Sequence, residues 1–219
     1  MARSAAKKLT IALNRGRVLA EALPVLARVG ITPAEPIEGS RKLVFETSAG
    51  DARLVVVRGD DVPTYVEYGA ADLGITGKDT LLEHASADYY ERLDLGIARC
   101  RIMTAAPIGA PEVRGPLRVA TKLVRTATQH FATRGRQAQI IRLSGAIEIA
   151  PLMGLADCIV DIVDTGSTLE ANGLEARELV AEVTTRVIVN RASSKTRFDE
   201  IEALLERLRE AASSRPKGR

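Results

Sequence analysis

Two stretches of this chain gather the residue types that handle phosphate. The sharper is Asp161-Ile162-Val163-Asp164-Thr165-Gly166-Ser167-Thr168, which closes an apolar run and leads into a stretch with helical spacing that starts near Ser167. A Thr-Gly-Ser-Thr turn in that position presents backbone N–H groups and three hydroxyls to one point. Glycine allows close approach, and a helix N-terminus favours an anion. The pattern suits the 5-phosphate of a sugar, with Asp161 and Asp164 placed for ribose hydroxyls or Mg²⁺. A capped strand-to-helix turn without any ligand would use the same residues.

The second stretch is Asn14-Arg15-Gly16-Arg17, again at the end of an apolar run. Two guanidinium groups at a strand end clamp phosphate oxygens in bidentate fashion; the plain alternative is two surface arginines. Ser40-Arg41-Lys42 adds a basic cluster in a loop after Gly39. A third strand end, Ala71-Asp72-Leu73-Gly74-Ile75-Thr76-Gly77, is rich in small residues. Asp72 and the amides of Leu73 and Gly74 are candidates for reading an adenine or a ribose, against a packed strand and turn. Glu148 lies on an expected helix, facing a cleft or solvent.

The elements that must position these residues alternate strand and helix signals, as an α/β fold requires. Expected strands are Leu9 to Leu13, Leu54 to Val57, Ala71 to Ile75 and Ile97 to Ala105. A helix over Val18 to Val29 closes at Gly30 and should kink at Pro24. Asp61-Val62-Pro63 reads as a capped helix start, and Lys78 to His84 as a short helix. Pro107, Gly109, Pro111, Gly115 and Pro116 then mark a boundary. A second series follows: strand Leu117 to Ala120, helix Leu123 to Thr133, strand Ala138 to Leu143, helix Gly145 to Met153 and strand Cys158 to Val163. The chain ends in strand Glu182 to Asn190 and amphipathic helix Arg197 to Ala212. The expected architecture is two α/β lobes, residues 1–101 with 187–219 and residues 102–186, with a cleft between them that suits a small molecule.

Composition narrows the function further. In 219 residues, hydrophobic types make up 46% and aromatics only 3%, with no Trp, so the core must be Val, Leu, Ile and Ala, as in a helix-covered parallel sheet. The net charge of +3 comes without a dense Lys/Arg stripe interleaved with aromatics, which argues against nucleic acid. Cys100 and Cys158 lie in apolar runs and read as buried free thiols. His84 and His130 are isolated, no Cys/His spacing suggests zinc, and there is no dinucleotide fingerprint or Walker loop. No segment approaches membrane-spanning length, and Met1 to Lys8 lacks the apolar stretch of a signal peptide, so the expected location is the cytoplasm. The tail Ser213 to Arg219 reads as disordered.

The run from Glu148-Ile149-Ala150-Pro151-Leu152-Met153-Gly154-Leu155-Ala156-Asp157 through Asp161 to Leu169 resembles the signature of the ATP phosphoribosyltransferases. Gly16-Arg17, Ser40-Arg41-Lys42 and Ala71 to Gly77 fall in that family's order, and the resemblance covers roughly Leu9 to Leu208. Where the family usually carries Lys before Gly-Arg, Arg15 keeps the charge. The resemblance implies a two-lobed fold like that of type II periplasmic binding proteins. It also implies transfer of the phosphoribosyl group of phosphoribosyl pyrophosphate to N1 of ATP, releasing pyrophosphate, at the first step of histidine biosynthesis. Mg²⁺ is the implied cofactor, held mainly by substrate phosphates with Asp161 as the one candidate protein ligand. Arg17 and Arg41 are implied catalytic groups. Arg15, Gly16, Lys42, Asp72, Leu73, Gly74, Glu148, Asp161, Asp164, Thr165, Gly166, Ser167 and Thr168 are implied substrate-binding residues. The short form of the family works as a homodimer joined to a separate regulatory subunit similar to histidyl-tRNA synthetase. A chain ending in one amphipathic helix leaves no room for the regulatory domain of the long form.

Two other readings compete. A non-enzymatic solute-binding module would share the two lobes, since fold does not fix function. A nucleotide-salvage phosphoribosyltransferase of the Rossmann-like type would place adjacent acidic residues some way before its Thr-Gly, whereas Asp161 and Asp164 are separated and Asp164 abuts Thr165.

Overall fold

The computed structural model describes residues 8–85 and 88–214. The readings of the first seven residues and of the tail beyond Ser214 lie outside the described residues. The chain forms two compact units. One is built from the described residues up to Ala98 and from Thr184 onward, the other from Arg99–Val183.

The first unit opens with strand β1 (Leu9–Asn14) and helix α1 (Arg17–Arg28). Strands β2 (Val44–Glu46) and β3 (Ala52–Val57), helix α2 (Val62–Glu67), strand β4 (Leu73–Gly77), helix α3 (Lys78–Glu83) and strand β5 (Tyr89–Asp94) follow. The second unit holds β6 (Cys100–Pro107), β7 (Leu117–Thr121), α4 (Val124–Thr133), β8 (Ala138–Arg142), α5 (Ile149–Leu152), β9 (Cys158–Val163), α6 (Ser167–Ala171) and β10 (Leu174–Val183). The chain then returns to the first unit through β11 (Thr185–Asn190), α7 (Ser193–Thr196) and α8 (Phe198–Ser213).

The first sheet runs β2-β3-β1-β4-β11-β5. Its centre is parallel, with β1 between β3 and β4, and β11 pairs antiparallel to β4. Buried on both faces from Leu9 to Leu13, β1 is apolar there apart from Thr10 and does not alternate. One face is covered by α1 and α8. The buried residues Ile201, Leu204, Leu205, Leu208 and Ala211 of α8 recur at helical spacing and join Ala22, Val25 and Leu26 of α1 in one core. Each helix also caps the other: Arg28 donates to the Ala211 carbonyl at 3.0 Å and Arg207 to that of Val29 at 3.1 Å. Pro24 lies inside α1, which is a single helix from Arg17 to Arg28. Asp61 stands at the start of α2 as expected, but its side chain makes no capping hydrogen bond.

The second sheet runs β10-β6-β9-β7-β8. Strands β7, β8 and β9 are parallel, and β6 runs antiparallel to β9 and β10. Parallel pairing places the loops after β7, β8 and β9 on one edge of the sheet, the carboxyl edge where open α/β sheets bind ligands. Three strands were not legible as such: β2, β5 and β10 all border their sheets. The expected helix over Gly145 to Met153 contracts to the single turn of α5.

Candidate active site

In the second unit, the Thr-Gly-Ser-Thr turn joins β9 to α6 as the sequence suggested. Gly166 takes φ +92°, a left-handed conformation that a side chain would strain, and a Cβ there would meet nothing within 4 Å. The turn is therefore open to an approaching group. The Thr165 hydroxyl lies 3.0 Å from the Ser167 hydroxyl and accepts the Ser167 N–H at 3.4 Å. Both side chains, with Thr168, face solvent, while Leu169 is buried and anchors the turn to the core.

Asp161 sits upstream on β9 with its side chain only 15% exposed. Burial pushes its carboxyl above the usual range. The neighbouring Lys122 charge and the Ile162 N–H, donating at 2.8 Å, pull it back, and Glu148 pushes it further up. Lys122 Nζ stands 3.6 Å from Asp161 Oδ1. Lys122 is a residue that the sequence reading missed. It directly follows β7, the parallel neighbour of β9, so pairing the two strands would have put it at the same edge. Thr121 fixes the junction: its hydroxyl donates to the Val160 carbonyl at 2.6 Å and accepts the Leu123 N–H at 2.8 Å.

Glu148 enters from the loop after β8. Ala146 adopts φ +48° there, a conformation that costs a non-glycine residue about 1 kcal/mol or more. That twist carries Ile147 into the core at 2% exposure and leaves Glu148 at the start of α5. One edge of one sheet thus gathers Lys122, Glu148, Asp161, Asp164 and the hydroxyl turn.

In the first unit, β1 ends at Asn14, and the Arg15 N–H donates to the Val57 carbonyl at 2.9 Å. Gly16 follows with φ +89°, starting α1 at Arg17. Arg17 reaches forward along its helix to Glu21 at 3.0 Å, and Glu21 also accepts the Ala98 N–H at 3.0 Å. Arg15, Gly16, Ser40 and Lys42 line one pocket of about 450 Å³, whose other walls include Leu19, Leu23, Ile37 and Val56. The two basic clusters, far apart in sequence, therefore meet. Lys42 is held by Glu35 at 2.7 Å, and Arg41 is exposed in the same loop.

Asp72, Leu73 and Gly74 do not join this site. Asp72 precedes β4, at the opposite edge of the sheet, and is 3% exposed. Its carboxylate accepts the Thr10 N–H at 2.9 Å, the Ser193 hydroxyl at 2.6 Å and the Arg197 guanidinium at 3.2 Å. Leu73 is core, 1% exposed. Gly74 is a packing glycine, because a Cβ would meet Val66 at 2.7 Å and Val62 at 2.8 Å, both on α2. The strand begins at Leu73, two residues later than expected, and Asp72 lies just before its amino end.

Among the described residues, no group of three or more His, Cys, Asp or Glu side chains is placed to hold a metal ion. Cys158 is buried and its thiol pushed up to about 12 by burial, which leaves it protonated and poorly nucleophilic.

Residues 58–210 match the family model HisG, described as ATP phosphoribosyltransferase. The chain is 58% identical over 208 residues to an ATP phosphoribosyltransferase of Teredinibacter turnerae, covering 95% of this chain and 98% of the relative. Among solved structures, the ATP phosphoribosyl transferase (HisG:HisZ) complex from Thermotoga maritima aligns with TM-score 0.81 at 31% identity, covering 94% of this chain and 100% of that one. The periplasmic aliphatic sulphonate binding protein SsuA from Escherichia coli aligns with TM-score 0.60 at 16% identity over 94% of this chain and 72% of its own, a likeness of fold alone.

Proposed function

The chain belongs to the ATP phosphoribosyltransferase family, and on that premise we propose how its residues carry the reaction. N1 of ATP attacks the anomeric carbon of phosphoribosyl pyrophosphate, the bond to the pyrophosphate oxygen breaks, and pyrophosphate leaves; this is the first step of histidine biosynthesis. The observation that carries this reading is the gathering of Lys122, Glu148, Asp161 and the Thr165–Thr168 turn at one carboxyl edge, on strands that the family signature spans.

The adenine N1 already holds a lone pair, so no activated side-chain nucleophile is required. The protein's work is to position two polyanions and to stabilise charge on the leaving group. The hydroxyls and amides of the Thr165–Thr168 turn bind the 5-phosphate. Asp161 and Asp164 take the ribose hydroxyls, with Lys122 orienting Asp161 and Glu148 beside it. Arg15, Arg17, Arg41 and Lys42 meet phosphate oxygens, and Arg17 and Arg41 act on the departing pyrophosphate. An Mg²⁺ ion, when bound, neutralises phosphate charge. The donor set fits an ion held mainly by the substrate, since Asp161 offers one carboxylate already shared with Lys122.

The assembly follows the relative from Thermotoga maritima, which forms a HisG:HisZ complex. We propose a catalytic homodimer joined to a separate subunit similar to histidyl-tRNA synthetase, which would bring histidine inhibition with it. Among the described residues no helix is long and apolar enough to cross a membrane; the biosynthetic reaction is what places the enzyme in the cytoplasm on this reading.

The test is turnover with ATP, phosphoribosyl pyrophosphate and Mg²⁺, measured with and without the partner. Pyrophosphate release that needs both substrates supports the reading, and release from either alone overturns it. Strong histidine inhibition of the isolated chain would overturn the short-form assembly.

A further inference from the structure

The amino edge of the second sheet carries a pocket of about 440 Å³ that the reaction above does not use. Its floor includes Ala105, Leu117, Phe131 and Cys158, all buried. Cys158 opens β9, and the Thr165 turn follows the far end of that strand, about 20 Å away at the rise of an extended chain.

The wall of this pocket is shaped by a β-bulge. Ala176 pairs with Ala105 and Leu179 with Met103, so one extra residue of β10 is inserted opposite Thr104. A bulge re-aims side chains, and here both Arg177 and Glu178 line the pocket. The Thr104 hydroxyl accepts the displaced Glu178 N–H at 2.9 Å, which pins the irregularity in place.

The charges around the mouth are not evenly satisfied. Asp157 is taken by Arg118 at 2.6 Å. Glu178 is taken by His130 at 3.2 Å and Arg134 at 3.3 Å. The His130 ring accepts from Arg134 on Nδ1, which leaves Nε2–H to donate to Glu178, and burial lowers its pKa. Arg136 stands 3.8 Å from Glu112, itself 85% exposed, and donates to the Val113 carbonyl at 3.3 Å; Arg177 donates from Nη2 to the half-exposed Glu175 at 2.9 Å and to the Ala110 and Pro107 carbonyls at 2.8 and 3.4 Å. A guanidinium has five N–H donors, so each retains capacity for an anion.

We propose that this pocket is a second ligand site, separate from the active site, for an amphipathic anion: an apolar ring or chain seated on the Leu117–Phe131 floor, with its carboxylate, sulfonate or phosphate head held by Arg136 and Arg177.

Fluorescence titration of the full chain with anilinonaphthalenesulfonate, an aromatic anion of suitable size, tests this. One saturable site is expected, undisturbed by saturating ATP or phosphoribosyl pyrophosphate. Arg136→Gln should weaken it about tenfold, the scale of one lost charge-assisted contact. Ala110→Trp, at the half-exposed rim, should abolish it by filling the mouth, with circular dichroism confirming that both variants fold. Neutral phenylnaphthylamine should bind at least about tenfold more weakly than the sulfonate. Absence of binding, displacement by either substrate, equal binding of the neutral probe, or unchanged binding in both variants would each overturn the proposal.

Discussion

Asp157 and Asp161 stand at the two ends of one stretch of β9 and its approach, and the same residue type is used in opposite ways. Asp157, at the amino edge, accepts the Arg118 backbone N–H at 2.8 Å and its guanidinium at 2.6 Å. Arg118 holds its carboxyl below the usual range. Asp161, toward the carboxyl edge, is 15% exposed, with Lys122 at 3.6 Å and the Ile162 N–H donating at 2.8 Å, and burial holds its carboxyl above that range. Asp72 repeats the first pattern in the other unit, with a backbone N–H, a hydroxyl and a guanidinium all donating to it. Satisfied aspartates close the amino edges of these sheets. Asp161 sits at the opposite edge, where the proposed ribose hydroxyls would add donors.

The comparison can be broken at several points. The largest effect is expected at the arginines. Arg17→Ala and Arg41→Ala should each lower kcat at saturating substrates by about 2–4 kcal/mol, the scale of a lost transition-state donor. If kcat holds within roughly a factor of two for both, they bind substrate without acting on the leaving group.

Asp72→Ala comes next, and its effect should fall on stability. Removing a buried carboxylate strands the Thr10 N–H, the Ser193 hydroxyl and Arg197, at a cost of about 3 kcal/mol. Denaturant titration should show this loss, with kcat/KM per folded molecule unchanged. A variant of full stability with a raised KM for ATP would return Asp72 to the binding site.

The pair on β9 separates the two roles most finely. A folded-state pKa raised by burial means that Asp161 weakens the fold as pH rises through that value. Asp161→Asn should therefore raise the melting midpoint near neutral pH by about 2–4 °C, with the gain disappearing in acid below the unfolded pKa. The same variant should lose kcat/KM for phosphoribosyl pyrophosphate. Asp157 has the opposite sign: its contribution is present above the ordinary carboxylate pKa and lost as pH falls through its depressed value. Asp157→Asn should cost up to about 1 kcal/mol at neutral pH, since Arg118 is largely solvent-facing, and should leave turnover intact. Parallel thermal and kinetic pH series check both, and a stability loss in Asp161→Asn would contradict the assignment.

Legibility followed burial. Central strands such as β1 and β9 are apolar enough to be read within a residue, and the Thr165–Thr168 turn announces itself by glycine and hydroxyls at a strand end. Of the four edge strands β8 was read, whereas β2, β5 and β10 were lost: β10, Leu-Glu-Ala-Arg-Glu-Leu-Val-Ala-Glu-Val, is mostly exposed and bulged, so neither alternation nor an apolar run survives. The same cause explains the site. Arg15 and Lys42 were found by charge, but only the fold shows that they share a pocket. Asp72 was misplaced because Asp-Leu-Gly fits either end of a strand, and the edge is decided by the partner Thr10 on β1. Lys122 was passed over because a lysine after a strand is common, and its meaning comes from β9 lying alongside.

The most direct test of the account is the double variant Thr165→Val with Thr168→Val. Valine keeps the shape and removes two hydroxyls from an exposed turn, so folding should be preserved. Steady-state kinetics should show the KM for phosphoribosyl pyrophosphate raised by about tenfold or more, with that for ATP within roughly a factor of two. A folded double variant whose KM for phosphoribosyl pyrophosphate is unchanged would show that the 5-phosphate binds elsewhere.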